Sequence, residues 1–215
     1  MKTNLKKMLR GSLVILAMAV PLSALADPIA GLFNTGVNAS GVGLGGLALG
    51  GSDVHYDLTD LTGLTADPVV VTHTAYVANN ASSQWIWRRG GSGVETYSFT
   101  TTFDLTGLDA TTAVLNGRWG ADNQGLDIKI NGTSTGISLL GVVVGNFNAL
   151  HGFSISDGFV SGLNTLEFVI QNNGGPGAFR AELAGSADPL SVPEPGSLAL
   201  LGLGLLGLTS LRRRA

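Results

Sequence analysis

The sequence predicts an all-β protein: a single antiparallel β-sandwich flanked by an N-terminal signal helix and a C-terminal apolar helix. Three observations carry this. Between residues 50 and 190, short runs of β-branched and aromatic residues alternate with turn residues, and no helical period of useful length interrupts them. The chain of 215 residues holds 32 glycines, no cysteine and only 13% charged residues, a composition that suits an exported β-rich protein. Each end carries an apolar stretch beside a basic cluster. Without cysteine there is no disulfide, no thiolate metal site and no Cys nucleophile.

Residues 1–26 read as a signal peptide. Lys2, Lys6, Lys7 and Arg10 form the basic region, Ser12 to Val20 the apolar region, and Pro21 breaks the helix. Ala24-Leu25-Ala26 is a small-residue cleavage box before Asp27, with Ala24 and Ala26 as the recognition positions. Seven of the twelve basic residues lie in the two ends. The middle keeps Arg88, Arg89, Arg118, Lys129 and Arg180 against all 15 acids, so the region from Asp27 to Glu194 has a net charge of −10. That charge argues against a nucleic-acid partner, because phosphate contacts need cations. It is compatible with neutral polysaccharide, divalent cations or simple solubility.

Residues 27–51 read as a flexible, Gly-rich leading segment. Gly41-x-Gly43-x-x-Gly46 has the spacing of a nucleotide-binding loop, but no strand precedes it and no amphipathic helix follows, so it is an accident of composition. Residues 52–187 read as the sandwich, about 135 residues and enough for one such domain. The expected strands are Val54–Leu58, Val69–Val77, Trp85–Arg88, Glu95–Leu105, Ala113–Trp119, Leu126–Ile130, Ile137–Val144, Phe153–Ile155, Thr165–Gln171 and Ala178–Leu183. Strict alternation from Tyr97 to Leu105, from Leu126 to Ile130 and from Leu166 to Ile170 predicts a sheet buried on one face only. Asn131-Gly132 predicts a tight hairpin turn, since both residues tolerate positive φ, and Asn116-Gly117 gives the same signal.

Residues 188–195 form a linker ending in Pro193-Glu194-Pro195, where two proline rings keep the tripeptide extended. Residues 196–215 hold an apolar run up to Leu211 and then Arg212, Arg213 and Arg214. Arginines against an apolar helix stay on the cytoplasmic side. The run of 16 residues from Gly196 to Leu211 reaches only about 24 Å as a helix, short of the ~30 Å hydrocarbon core, which suits a transient sorting element better than a lasting anchor. Tripeptide, apolar run and basic cluster, in that order, resemble the PEP-CTERM sorting tail of Gram-negative bacteria, also catalogued as an ice-binding-protein C-terminal domain. The resemblance implies processing by an exosortase, an integral membrane enzyme. The precursor would be tethered to the inner membrane and then pass to the cell surface or outside. Ice binding itself is rejected: Thr72-x-Thr74 and Thr133-x-Thr135 are isolated pairs, not a stacked threonine array.

A second resemblance lies in the middle. Trp119-Gly120-Ala121-Asp122-Asn123-Gln124-Gly125 leading into Leu126-Asp127-Ile128-Lys129-Ile130-Asn131-Gly132, followed by Gly162 to Asn172 and Gly177 to Leu183, is similar to galactose-binding-like jelly-roll domains over residues 96–187. It implies a non-catalytic sandwich of a class that often binds sugars through loops at one end, some with structural calcium. Residues 29–95 resemble the leading part of secreted PEP-CTERM proteins through Gly31-Leu32-Phe33-Asn34-Thr35-Gly36 and Asp53-Val54-His55-Tyr56.

Candidate chemistry is sparse. His55, His73 and His151 have no metal-ligand spacing, and His73 reads as a partly buried strand residue. There is no G-x-S-x-G, H-E-x-x-H or S-x-x-K motif in the body. Fifteen acids always offer pairs for a glycoside hydrolase, but none is singled out. No cofactor is assigned, and no calcium either, since Asp122-x-x-x-x-Asp127 lacks the dense spacing of a calcium loop. Trp85 and Trp87 alternate with Ile86 and so fall on one strand face; exposed, they would make a platform for sugar rings, and buried, they would be core. Asp122 and Asn123 either reach sugar hydroxyls or cap their own loop. The readings that follow are, first, a structural or adhesive protein of the exopolysaccharide matrix; second, a surface carbohydrate-binding module; third, a secreted hydrolase.

Overall fold

The computed structural model describes residues 25–191. Residues 1–24, with the signal segment and Ala24, lie outside the described residues, as do 192–215 with Pro193, Glu194, Pro195, the apolar run and the three arginines. Twelve strands follow one another: β1 (Asp27–Pro28), β2 (Asp57–Asp60), β3 (Thr65–Ala66), β4 (Val69–Val71), β5 (Trp85–Trp87), β6 (Ser92–Asp104), β7 (Val114–Asp122), β8 (Gln124–Ile130), β9 (Thr133–Ser134), β10 (His151–Ile155), β11 (Leu163–Pro176) and β12 (Ala178–Ala187). A six-residue helix, α1 (Val143–Asn148), precedes β10. Among the described residues no helix is long and apolar enough to cross a membrane.

The strands form two antiparallel sheets, as the sequence predicts. One has the order β10-β7-β12-β5-β4, with β1 also paired to β12; the other runs β3-β2-β6-β11-β8-β9. The second sheet is built on the pairing of β6 with β11, from Leu163 opposite Asp104 to Asn173 opposite Val94. Its alternation is the one read in the sequence: Tyr97, Phe99, Thr101 and Phe103 are buried, as are Leu166, Phe168 and Ile170, while the residues between them are half-buried or exposed. Phe179 of β12 joins the two layers, its ring centroid 4.8 Å from both Phe99 and Phe168. The ring of Trp119 packs on Phe168 and lies against Gly125, where any added Cβ would strike the indole. Gly125 stands beside a register shift between Val169 and Ile170, which lets β8 bend past that ring.

The first sheet does not alternate at β5 and the start of β12. Trp85, Ile86 and Trp87 are all buried, and so are Ala178 to Ala181. Over that stretch the 72–84 loop and α1 cover the outer face, so the expectation of a sheet solvated on one side fails there; along β10 and the first half of β7, where Gly152, Ser154, Asn116 and Arg118 are exposed, it holds.

Several local expectations are corrected. The Gly-rich leading segment is not a loose tail. Thr35 and Val37 are fully buried, and residues 29–36 run beside β12: Ile29 N–H donates to Gly185 O at 2.9 Å and Thr35 N–H to Ala181 O at 3.0 Å. Gln84 N–H in turn donates to Thr35 O at 2.8 Å, so the segment bridges β12 to the chain entering β5. Its glycines serve close approach: at Gly36 a side chain would meet Gln84. Asn131-Gly132 is the expected turn, with φ of 51° and 79°. Asn116-Gly117 is no turn but the middle of β7, opposite Ser154 and Phe153. Glycine is needed there because a Cβ would meet the Phe153 ring at 2.5 Å. Ile137–Val144 is not a strand: only Leu139 makes a bridge, to Gly125, and the valines enter α1. Val69–Val77 ends at Val71. His73 is therefore exposed in a turn, where its Nδ1 accepts from Ala75 N–H at 3.3 Å.

Candidate functional site

Trp85 and Trp87, the proposed sugar platform, are 0% and 1% exposed. They do not share a surface. Trp85 packs on Tyr76, at 5.0 Å between centroids, and donates its indole N–H to Val77 O at 2.7 Å. Trp87 packs edge-on to Tyr97 of the other sheet, at 5.2 Å. Alternation places two side chains on one side of a strand, but here separate parts of the chain wrap each of them.

Asp122 and Asn123 converge with Trp85 through Tyr76. The Tyr76 hydroxyl donates to Asp122 Oδ2 at 2.7 Å, and the Asn123 amide donates to Asp122 Oδ1 at 2.7 Å. Asn123 O accepts from the Asn146 amide at 2.8 Å, and Asn123 Oδ1 accepts from Asn173 N–H. Burial raises the Asp122 carboxyl above its ordinary value, opposed by the Tyr76 hydroxyl, the nearby His73 and Asn123. Burial, followed by the hydrogen bond to Asp122 and then its charge, pushes the Tyr76 phenol well up. This node ties the 72–84 loop, the β7–β8 bend and α1 together, and Asp122 has no face left for a ligand. Tyr76→Phe should cost about 1–3 kcal/mol by leaving a buried carboxylate oxygen unbonded. Urea unfolding at neutral pH measures it.

Two further buried nodes carry charge. Arg180 is 1% exposed on the outer side of β12. Its Nε donates to Ser83 Oγ at 2.7 Å, its Nη1 to Ala78 O at 2.8 Å, and its Nη2 reaches Glu182 at 3.4 Å. Glu182 also holds Arg118 at 2.7 Å. Burial works to raise Glu182, but Ser83 and Arg118 outweigh it and keep the carboxyl below its usual range. Glu167, on the other sheet, pairs with Lys129 at 3.1 Å. Asp53 is fully buried and accepts from Gly36 N–H at 2.6 Å and His55 N–H at 2.9 Å. His55 stacks on Phe33 with centroids 3.7 Å apart, and the Tyr56 hydroxyl donates to Phe33 O at 2.8 Å. The two leading motifs, 31–36 and 53–56, are thus one interlocked unit.

The accessible site is elsewhere. A cleft of about 360 Å³ opens at the sandwich edge between the β8–β9 turn and the segment after β10. Ile130, Ile137 and Ile155 form its apolar lining, and Thr133, Ser154, Ser156 and Asp157 its polar one. Thr133, Ser154, Ser156 and Asp157 are exposed. Asparagines position the wall: Asn131 Nδ2 donates to Gly158 O at 3.0 Å and to Asn164 Oδ1 at 2.8 Å, while Asn164 Nδ2 donates to Val160 O and Gly162 O. The sequence pointed to Asn131 as a turn residue, but its link to Asn164 spans 33 positions and left no local signal. Among the described residues, no group of three or more His, Asp or Glu side chains stands where it could hold a metal ion.

The linker expected over residues 188–195 is fastened to the body at its start, where Leu190 N–H donates to Gly107 O at 2.9 Å. Residues 191–214 match the PEP-CTERM protein-sorting motif. The motif implies an exported protein, processed by an exosortase and anchored transiently at the membrane before surface or extracellular release. Among solved structures, the CBM35 from Paenibacillus barcinonensis is similar over 61% of this chain and 94% of that one, at 19% identity and a TM-score of 0.34. That likeness is too loose to transfer a ligand or a site. No curated protein matches the chain.

Proposed function

We propose that the sorted body is a non-catalytic structural or adhesive component of the extracellular polysaccharide matrix. The observation that carries this is the joining of a sorting motif at 191–214 to a sandwich whose buried charged groups are spent on its own loops. Asp53, Asp122 and Arg180 each hold backbone or neighbouring side chains rather than face a cavity. Acting as scaffolding, they keep long connections ordered in a chain with no disulfide. Replacing Pro193-Glu194-Pro195 by alanines should leave a precursor of higher mass at the membrane. Mass spectrometry of membrane and released fractions checks this, and an unchanged mass and distribution would remove the reading.

The cleft favours a second reading, a carbohydrate-binding module. An apolar floor under exposed hydroxyls and one carboxylate suits a neutral polyol, whose C–H faces pack on isoleucine while its hydroxyls bond to Ser, Thr and Asp. With no aromatic ring in its lining, binding should be weak. Glycan-array and calorimetric measurements on the mature chain test it, with Ser154→Ala/Ser156→Ala and Asp157→Ala as variants. Loss of a bound glycan in these variants supports the cleft; binding that survives them places the ligand elsewhere.

A further inference from the structure

The body's two ends leave it side by side. Asp27 pairs with Ala187 and Pro28 with Ser186. Past β12 the chain stays fastened: Asp188 N–H donates to Thr112 Oγ1 at 2.8 Å, Asp109 N–H to Asp188 O at 2.7 Å, and Leu190 N–H to Gly107 O at 2.9 Å. Only Ser191 to Pro195 then separate the fastened chain from the apolar run that begins at Gly196. Fully extended, that connection spans about 20 Å. The strands of β6 and β11 run roughly 40 Å from this end to the opposite one.

The end fastened to the tail exposes aliphatic side chains. Leu163, 69% exposed, lies opposite Asp104, and Gly162 O accepts from Leu105 N–H at 2.9 Å. Val160 and Leu190 are exposed beside it. Neighbouring loops contribute Asp27, Asp104, Asp109, Asp157 and Asp188, with no unpaired base among them, so charge does not draw this end to an anionic surface. The tether does, by holding it at high local concentration.

Resting on the reading of the tail as a transient membrane anchor, we infer that the end formed by the 104–112 loop, the 156–163 loop and residues 188–190 is the lipid-facing surface of the tethered precursor, with Val160, Leu163 and Leu190 meeting the bilayer. Leu61, 83% exposed, follows Asp60, which lies opposite Tyr97 roughly 23 Å along β6 from Asp104, and so stands away from the bilayer. The hydroxyl-lined cleft opens at the lipid-facing end.

The chain has no cysteine, so single labels are unambiguous. Leu163→Cys, Leu61→Cys and Leu203→Cys are made in the exported precursor that begins at Asp27 and keeps the tail, labelled with an environment-sensitive fluorophore and reconstituted in phosphatidylcholine vesicles carrying a headgroup quencher. Quenching at positions 203 and 163 with none at 61 is the expected result. Quenching at 203 with equal quenching, or none, at both 163 and 61 overturns the orientation while leaving the anchor intact. No quenching at 203 overturns the anchor and the orientation with it. Anionic lipid at low salt should weaken the signal at 163, and added salt should restore it, because the five carboxylates repel the surface and are screened.

Discussion

Arg180→Ala should destabilise the folded chain by about 3–5 kcal/mol, the cost of breaking a buried charge network by removing one partner. The guanidinium is enclosed between β12 and the 72–84 loop and donates to Ser83 Oγ, Ala78 O and Glu182. Alanine leaves a void where the guanidinium stood, an unbonded carbonyl at Ala78 and a half-buried Glu182 with only Arg118 and Ser83 to hold it. Denaturant unfolding should show a lower midpoint with little change in slope. Amide exchange should rise first in residues 77–84, because the loop loses its main attachment to the sheet. Arg180→Met/Glu182→Gln should recover part of the loss, since it removes both charges and restores apolar volume. A loss below about 1 kcal/mol, the value of an exposed ion pair, would show that water already solvates this guanidinium.

Asp53→Ala should cost about 2–5 kcal/mol, because it strands the N–H groups of Gly36 and His55 in a closed interior. Asp53→Asn should help little: one of its amide hydrogens would face a backbone donor. The pH dependence has a definite sign. Burial, the largest influence on Asp53, raises its carboxyl above the ordinary 3.8, outweighing the two N–H bonds that favour the charged form. The folded state therefore binds this proton more tightly than the unfolded state does. Its contribution is fully present below the unfolded value and is lost as pH rises through the raised folded value. The stability difference between wild type and Asp53→Asn should thus be greatest in acid and shrink toward neutral pH. Unfolding curves for both proteins across that range measure it directly, and other carboxyls cancel in the difference. A difference that grew with pH would mean that the two N–H bonds outweigh burial.

The parts of this molecule legible in the linear chain are those governed by local rules. The sorting motif at 191–214 is read from one short contiguous stretch. The strands β6, β8 and β11 were visible because one face of their sheet meets water, so polarity alternates with a period of two. The Asn131-Gly132 turn was visible because positive φ is a property of the residues themselves. Other features depended on what the chain folds against. Sheet β10-β7-β12-β5-β4 is covered on both faces at β5 and the start of β12, and a strand buried on both sides carries no alternation to read. Gly36 reads as looseness and Gly117 as a turn, whereas each makes room for a side chain from a distant segment. The indoles of Trp85 and Trp87 share a strand, yet their burial was settled by Tyr76 and Tyr97, which come from different layers. Periodicity records only how a residue stands toward its own strand. Which side meets water, and therefore which groups remain free to bind, follows from long-range packing that no short window of sequence contains.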